Sequence, residues 1–131
     1  MARILVIDND ADVRALLEQM LEPAGHEVSL AADGREGMKL HRAAPADLVI
    51  TDLFMPNQEG LETIIELRKD FPEVRIIAMS GKDAASAMLR AAQQLGANRV
   101  LQKPFFPLEL LVAVEEVLRP ASRLVSRKAG R

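Results

Sequence analysis

Residues 3–10 read Arg-Ile-Leu-Val-Ile-Asp-Asn-Asp, a short apolar run that breaks into acidic and amide side chains. Arg3–Ile7 is brief and rich in β-branched residues, as expected of a strand covered on both faces. The period then changes. Over Asp10–Leu21, Val13, Leu16, Leu17, Met20 and Leu21 recur at helical spacing, with Asp10 or Asp12 suited to cap the start. Pro23 and Gly25 end that segment.

The same strand-then-helix alternation repeats four more times. His26–Ala31 alternates like an edge strand, and the helix Gly34–Ala43 stops before Pro45. Leu48–Thr51 precedes a helix over Leu61–Lys69, with Leu61, Ile64, Ile65 and Arg68 in register. Val74–Met79 precedes a helix over Ala84–Leu95 that Gly96 closes, and Arg99–Gln102 precedes a helix over Pro107–Leu118 with Pro in its first turn. Five such units predict an α/β fold: a doubly wound, five-stranded parallel sheet with helices on both faces. Ligands of such sheets sit beyond the carboxyl ends of the strands, so the residues that follow each strand carry the functional information.

The 131 residues suffice for one domain. Hydrophobic residues make up 49% of the chain, but only four are aromatic (all Phe), so the core must be built from aliphatic side chains and Met. With no cysteine, disulfides, thiolate nucleophiles and Cys-ligated metals are excluded. No apolar run approaches the roughly 18 residues of a membrane span, and no basic segment precedes one, so a cytoplasmic, soluble protein is expected. Five of the 17 basic residues fall at or after Arg119, with no acid among them; the rest of the chain carries 12 basic against 19 acidic residues, a net charge of −7. An acidic globule with a short basic tail is a poor nucleic-acid binder. The expected division is a domain over 1–120 and a basic tail or linker start over 121–131.

The strand ends deliver a set of polar groups: Asp8, Asn9 and Asp10 after the first, Asp52 after the third, Ser80 after the fourth and Lys103 after the fifth. Singly each has a bland explanation: strand-end acids cap helices, Ser caps them too, and Lys is solvated. Jointly they form a chemical kit. Clustered acids repel unless a cation joins them, and Mg²⁺ suits hard oxygen ligands. A carboxylate can attack phosphorus. An ammonium can neutralise the oxygens of the transferred group. A hydroxyl that bonds the new phosphoryl group couples its arrival to movement of the following loop.

ILVIDND at 4–10, TDLFMPNQEG at 51–60, MSG at 79–81, GA at 96–97 and KPF at 103–105 together resemble the receiver domains of two-component response regulators. Ser80 and Lys103 follow Asp52 by 28 and 51 residues, similar to the spacing in that family. The resemblance spans about residues 3–119. It implies the strand order 2-1-3-4-5 and a signalling switch rather than an enzyme acting on an external substrate, although the site catalyses its own phosphoryl transfer and dephosphorylation. It implies Asp52 as phospho-acceptor, Lys103 as the phosphoryl contact and Ser80 as the switch hydroxyl. Mg²⁺ would be held by Asp8, Asn9, Asp52 and the backbone carbonyl of Phe54. The Lys103–Pro104 bond would be cis, and Gly60 would lie in the turn before the third helix. The implied donor is a sensor histidine kinase or a phosphotransfer protein; the effector is unspecified. The face of the fourth helix, fifth strand and fifth helix would change on phosphorylation and could join a homodimer. Direct contact with nucleic acid or membrane is not expected.

Two positions depart from the family pattern. Asn9 stands where relatives usually carry a second acid, which predicts weaker Mg²⁺ binding unless Asp10 reaches the site. Val100 stands where many relatives place a switch aromatic. Phe54 and Lys82 flank the acceptor and switch positions; Phe54 either screens the hydrolytic water or packs on its loop. His26 and His41 read as surface residues.

A second reading comes from a different class. Ile-Asp-Asn-Asp at 7–10 also resembles the opening of haloacid-dehalogenase-type phosphatases, with Asp8 as nucleophile and Asp10 as general acid. It lacks a late acidic pair for the metal and leaves Asp52 and Lys-Pro-Phe unexplained. A nucleotide-binding flavodoxin-like module is disfavoured because the acidic first loop would repel phosphate. A degenerate receiver is disfavoured by the joint presence of Asp52, Ser80 and Lys103.

Overall fold

A computed structural model describes residues 1–54, 59–81 and 86–119. The elements alternate in chain order: β1 (Arg3–Ile7), α1 (Ala11–Leu21), β2 (Glu27–Ala31), α2 (Gly34–Ala43), β3 (Leu48–Asp52), α3 (Glu59–Asp70), β4 (Arg75–Ser80), α4 (Ser86–Leu95), β5 (Arg99–Gln102) and α5 (Pro107–Leu118). The five strands form one parallel sheet in the order β2-β1-β3-β4-β5. The strand order implied by the resemblance is therefore found. β2 lies at an edge, as its alternating sequence predicts. No described helix is long and apolar enough to cross a membrane.

The sheet separates two apolar layers, and alternate strand residues feed each. Leu5, Ile7, Val49, Leu53, Ile76 and Ala78 meet Met38 of α2, Ile64 and Leu67 of α3 and Ala92 of α4. Ile4, Val6, Leu48, Ile50, Ile77 and Met79 meet Leu17 and Leu21 of α1 and Leu110, Ala113 and Val114 of α5. Burying each such aliphatic side chain is worth about 1.5–3 kcal/mol, which is why the central strands are apolar on both faces.

Two helical faces differ from the sequence expectation. On α1 the buried line is Leu17 and Leu21, four residues apart, while Leu16 lies 49% exposed. On α3, Ile64, Leu67 and Thr63 turn inward and Ile65 is 47% exposed. In both cases the buried line favours one of two adjacent apolar residues, because neighbours stand about 100° apart around a helix. β4 begins and ends one residue later than expected, and β3 extends to Asp52. The expected start of the fourth helix at Ala84 lies outside the described residues.

Candidate functional site

The sheet ladder continues past the strand ends and fixes the site residues one by one. Asp8 N–H donates to the Ala31 carbonyl at 3.1 Å, Leu53 N–H to Met79 at 2.8 Å and Lys103 N–H to Ser80 at 2.6 Å. Asp52 is the last residue of β3 and Ser80 the last of β4. Ile7 pairs with Thr51, so Asp8 and Asp52 are the next neighbours across parallel strands. By strand alternation both continue the face of Ile4, Val6, Leu48 and Ile50, the one covered by α1 and α5. From beyond β5, Lys103 reaches back over them. Its Nζ donates to Asp8 Oδ2 at 2.9 Å and stands 3.6 Å from Asp52 Oδ1, a hydrogen bond and an ion-pair contact respectively.

These groups are recessed at the carboxyl edge of the sheet. Asp8 and Ser80 are fully buried and Asp52 is 4% exposed; Lys103 forms the accessible rim. The cause is position: β1, β3 and β4 are interior strands, flanked on both sides. Burial pushes the Asp52 carboxyl above its ordinary range, and the neighbouring Asp8 charge pushes it further; the Lys103 ammonium and the Phe54 N–H oppose this. Asp52 Oδ1 and Ser80 Oγ are buried without a hydrogen-bond partner among the described residues. Two carboxylates against one ammonium, with one buried carboxylate oxygen lacking a hydrogen bond, form a donor set suited to a hard divalent cation. No group of three or more His, Cys, Asp or Glu side chains gathers among the described residues.

The turn after β1 answers the question about Asp10. Its N–H donates to Asp8 Oδ1 at 2.9 Å, and its own Oδ1 caps α1 by accepting the Asp12 N–H at 2.9 Å. Asp10 is thus a helix cap, and Asn9 is exposed beside it. The Phe54 side chain is 59% exposed. The Lys103–Pro104 bond is cis. Val100 is half-buried against the α2–α4 layer. Lys82, Met55, Pro56 and the tail residues lie outside the described residues.

Gly60 falls within α3 rather than in a turn before it. A Cβ there would lie 2.5 Å from the Asp52 carbonyl oxygen and 2.5 Å from Leu53 Cα. Its role is close approach of the helix to the acceptor strand.

His41 overturns its surface assignment. It is 2% exposed, its Nδ1 accepts the Ala46 N–H at 3.0 Å, and its ring meets Phe71 edge-on at 4.4 Å. An apolar stripe on α2 turns it inward beside Met38. His26 is half-buried, its Nδ1 accepting the Ala2 N–H at 3.2 Å. Sequence reasoning also missed Arg14, whose Nη1 donates to the Asp8 carbonyl at 2.6 Å. The available signal is an Arg near the start of a helix, where the macrodipole disfavours a cation.

Fold and site together define a doubly wound α/β domain that gathers two acids, a hydroxyl and an ammonium at the carboxyl edge of its sheet. The chain belongs to the response-regulator receiver family of two-component signalling: the model of the response regulator receiver domain matches residues 4–115. It is 36% identical over 124 residues to the probable transcriptional regulator ycf27 of Porphyridium aerugineum, covering 95% of this chain and 51% of that one. It is 38% identical over 117 residues to the response regulator MprA of Mycolicibacterium vanbaalenii, covering 89% and 50%. The same identity and length relate it to the DNA-binding transcriptional regulator NtrC of Azospirillum brasilense, covering 89% and 24%. The chain therefore spans about half or less of the length of these relatives. Among solved structures, the chemotaxis protein CheY4 of Vibrio cholerae superposes with a TM-score of 0.83 at 30% identity, covering 89% of this chain and 98% of that one. The receiver domain of NtrX from Brucella abortus gives 0.83 at 28%, covering 88% and 97%. The phosphatase alternative finds no support: both Asp8 oxygens are engaged and Asp10 caps a helix.

Proposed function

We propose that Asp52 accepts a phosphoryl group from a phosphohistidine donor, a sensor histidine kinase or a phosphotransfer protein. The observation that carries this is Lys103 Nζ set between Asp8 and Asp52 while Asp52 Oδ1 and Ser80 Oγ lack a hydrogen bond among the described residues. Asp52 Oδ1 attacks phosphorus, the new P–O bond replaces the donor P–N bond, and the leaving imidazole takes up a proton. Lys103, 3.6 Å from the attacking oxygen, neutralises charge on the phosphoryl oxygens. Ser80 Oγ donates to one of them after transfer, which couples the phosphorylated state to the chain beyond β4. The same site promotes its own dephosphorylation, so the domain acts as a timed switch.

Asp8, Asp52, Asn9 and the Phe54 carbonyl would hold Mg²⁺. When bound, the ion offsets the charge of the two acids and of the incoming group. Asp8 keeps its carboxylate beside Asp52 through the Asp10 N–H. Residues 1–120 form the receiver and 121–131 a basic tail or linker start. The chain works in the cytoplasm, makes no direct contact with nucleic acid or membrane, and presents α4, β5 and α5 as its responsive and dimerising face.

The test is incubation with Mg²⁺ and acetyl phosphate, followed by intact mass and borohydride mapping of the adduct. One phosphoryl group at Asp52, lost in Asp52→Asn, supports the proposal. An adduct at Asp8 would transfer the chemistry to the phosphatase class.

A further inference from the structure

Asp8 is held at every polar atom. Its N–H donates to Ala31, its Oδ1 accepts from Asp10, its Oδ2 accepts from Lys103 and its carbonyl accepts from Arg14. The geometry points to Arg14 as a positioning residue for the acidic pair: it anchors the Asp8 peptide so that the Asp8 carboxylate keeps its place toward Mg²⁺ beside Asp52. This deepens the phospho-acceptor reading and rests on it.

Three observations lead there. The Arg14–Asp8 contact is 2.6 Å, short for an N–H···O bond and charge-assisted. Arg14 N–H also donates to the Asp10 carbonyl at 3.1 Å. Backbone and side chain of one residue thus clasp both ends of the Asp8–Asn9–Asp10 turn, on which the acidic pair depends. Finally, the position opposes the helix dipole, since a cation near a helix start is disfavoured. The compensating gain is the contact with Asp8.

The consequence follows from Lys103. Its ammonium serves Asp8 and lies close to Asp52, so a phosphoryl group arriving on Asp52 competes for it. Asp8 then loses a partner on Oδ2. The Arg14 bond is to the backbone carbonyl and is untouched by that exchange. It keeps the turn, and with it the Asp8 carboxylate, in register through the transfer.

The experiment compares wild type, Arg14→Ala and Arg14→Lys. Mg²⁺ affinity is measured on the unphosphorylated chain by amide NMR titration, alongside thermal unfolding and acetyl phosphate kinetics at varied Mg²⁺. Loss of an outer partner of a metal ligand typically weakens metal binding about 10–100-fold. Arg14→Ala is expected near the lower end, with the Mg²⁺ requirement for phosphorylation rising in parallel. Arg14→Lys keeps one charged donor and is expected to recover most of the affinity. Arg14→Ala with unchanged Mg²⁺ affinity overturns the inference, whether or not its Tm falls. A lysine variant as weak as alanine overturns it too, because the donor is then not what matters. A wild type that binds Mg²⁺ but forms no adduct at Asp52 sinks the acceptor reading and leaves the Arg14 comparison intact.

Discussion

Asp52 sits where an ionised carboxylate is hardest to keep: buried, beside a second acid, with one ammonium 3.6 Å away. Its carboxyl is raised in the folded state. For a raised acid, the stabilising contribution is complete below the unfolded value of about 3.9 and is lost as pH rises through the folded one. At neutral pH the ionised Asp52 therefore weakens the fold. Asp52→Asn is expected to raise Tm by about a few degrees at pH 7 without divalent ions. Mg²⁺ should raise the wild-type Tm and move the variant less, since binding to the folded state alone is stabilising. Differential scanning calorimetry with and without Mg²⁺ decides it; a destabilised variant would contradict the electrostatic account. The four principal side chains at this site were legible from sequence, because each follows an apolar run and strand ends converge on one edge. Arg14 and His41 were not. Their roles depend on which backbone carbonyl or N–H a long or inward-turned side chain meets, and no spacing rule encodes that.

Among the elements, α3 and α2 carry the clearest consequences. Gly60 brings α3 against the Asp52–Leu53 backbone with no space for a Cβ. Gly60→Ala is expected to cost about 1–3 kcal/mol, as overpacking does, and to slow phosphorylation by displacing the end of β3. Urea unfolding and acetyl phosphate kinetics report the two effects; a neutral substitution would mean the helix shifts freely. On α2, burial, followed by the Arg42 charge, lowers the His41 pKa. His26 is lowered as well, first by burial and then by the N-terminal charge. A lowered histidine contributes stability that is complete above about 6.5 and is lost as pH falls below it. Relative to His41→Gln, the wild-type urea midpoint should therefore drop between pH 7.5 and 5.5, a comparison in which the opposite dependence of Asp52 cancels. An unchanged slope would show that His41 titrates normally. Element order and type were readable because the hydrophobic period switches cleanly between strands and helices. Helix faces were less so: at Leu16 and Ile65 two adjacent apolar residues competed for one buried line, and only packing chose.

For the molecule as a whole, one guanidinium gathers several backbone groups at the pole opposite the candidate site. Arg68 Nη1 donates to the carbonyls of Pro72 at 2.8 Å and Val74 at 2.6 Å, and Nη2 to the carbonyl of Gly96 at 2.8 Å and to Asn98 Oδ1 at 3.2 Å. Asn98 Oδ1 also accepts the Ile76 N–H at 2.8 Å, so α3, β4 and the α4–β5 connection meet at one point. Arg68→Ala removes the donor from the two part-buried carbonyls of Val74 and Gly96 and is expected to cost about 2–3 kcal/mol. Chemical denaturation would show this as a lower midpoint with an unchanged slope; a loss under about 0.5 kcal/mol would place the network among ordinary surface contacts.

The parallel register of β1, β3 and β4 has a further bearing. Asp52 and Ser80 lie within paired strands and Asp8 continues the ladder through its bond to Ala31, so the register of the sheet sets the spacing between the three backbones. A one-residue slip of β3 against its neighbours would therefore carry Asp52 to the opposite face of the sheet and part it from Asp8.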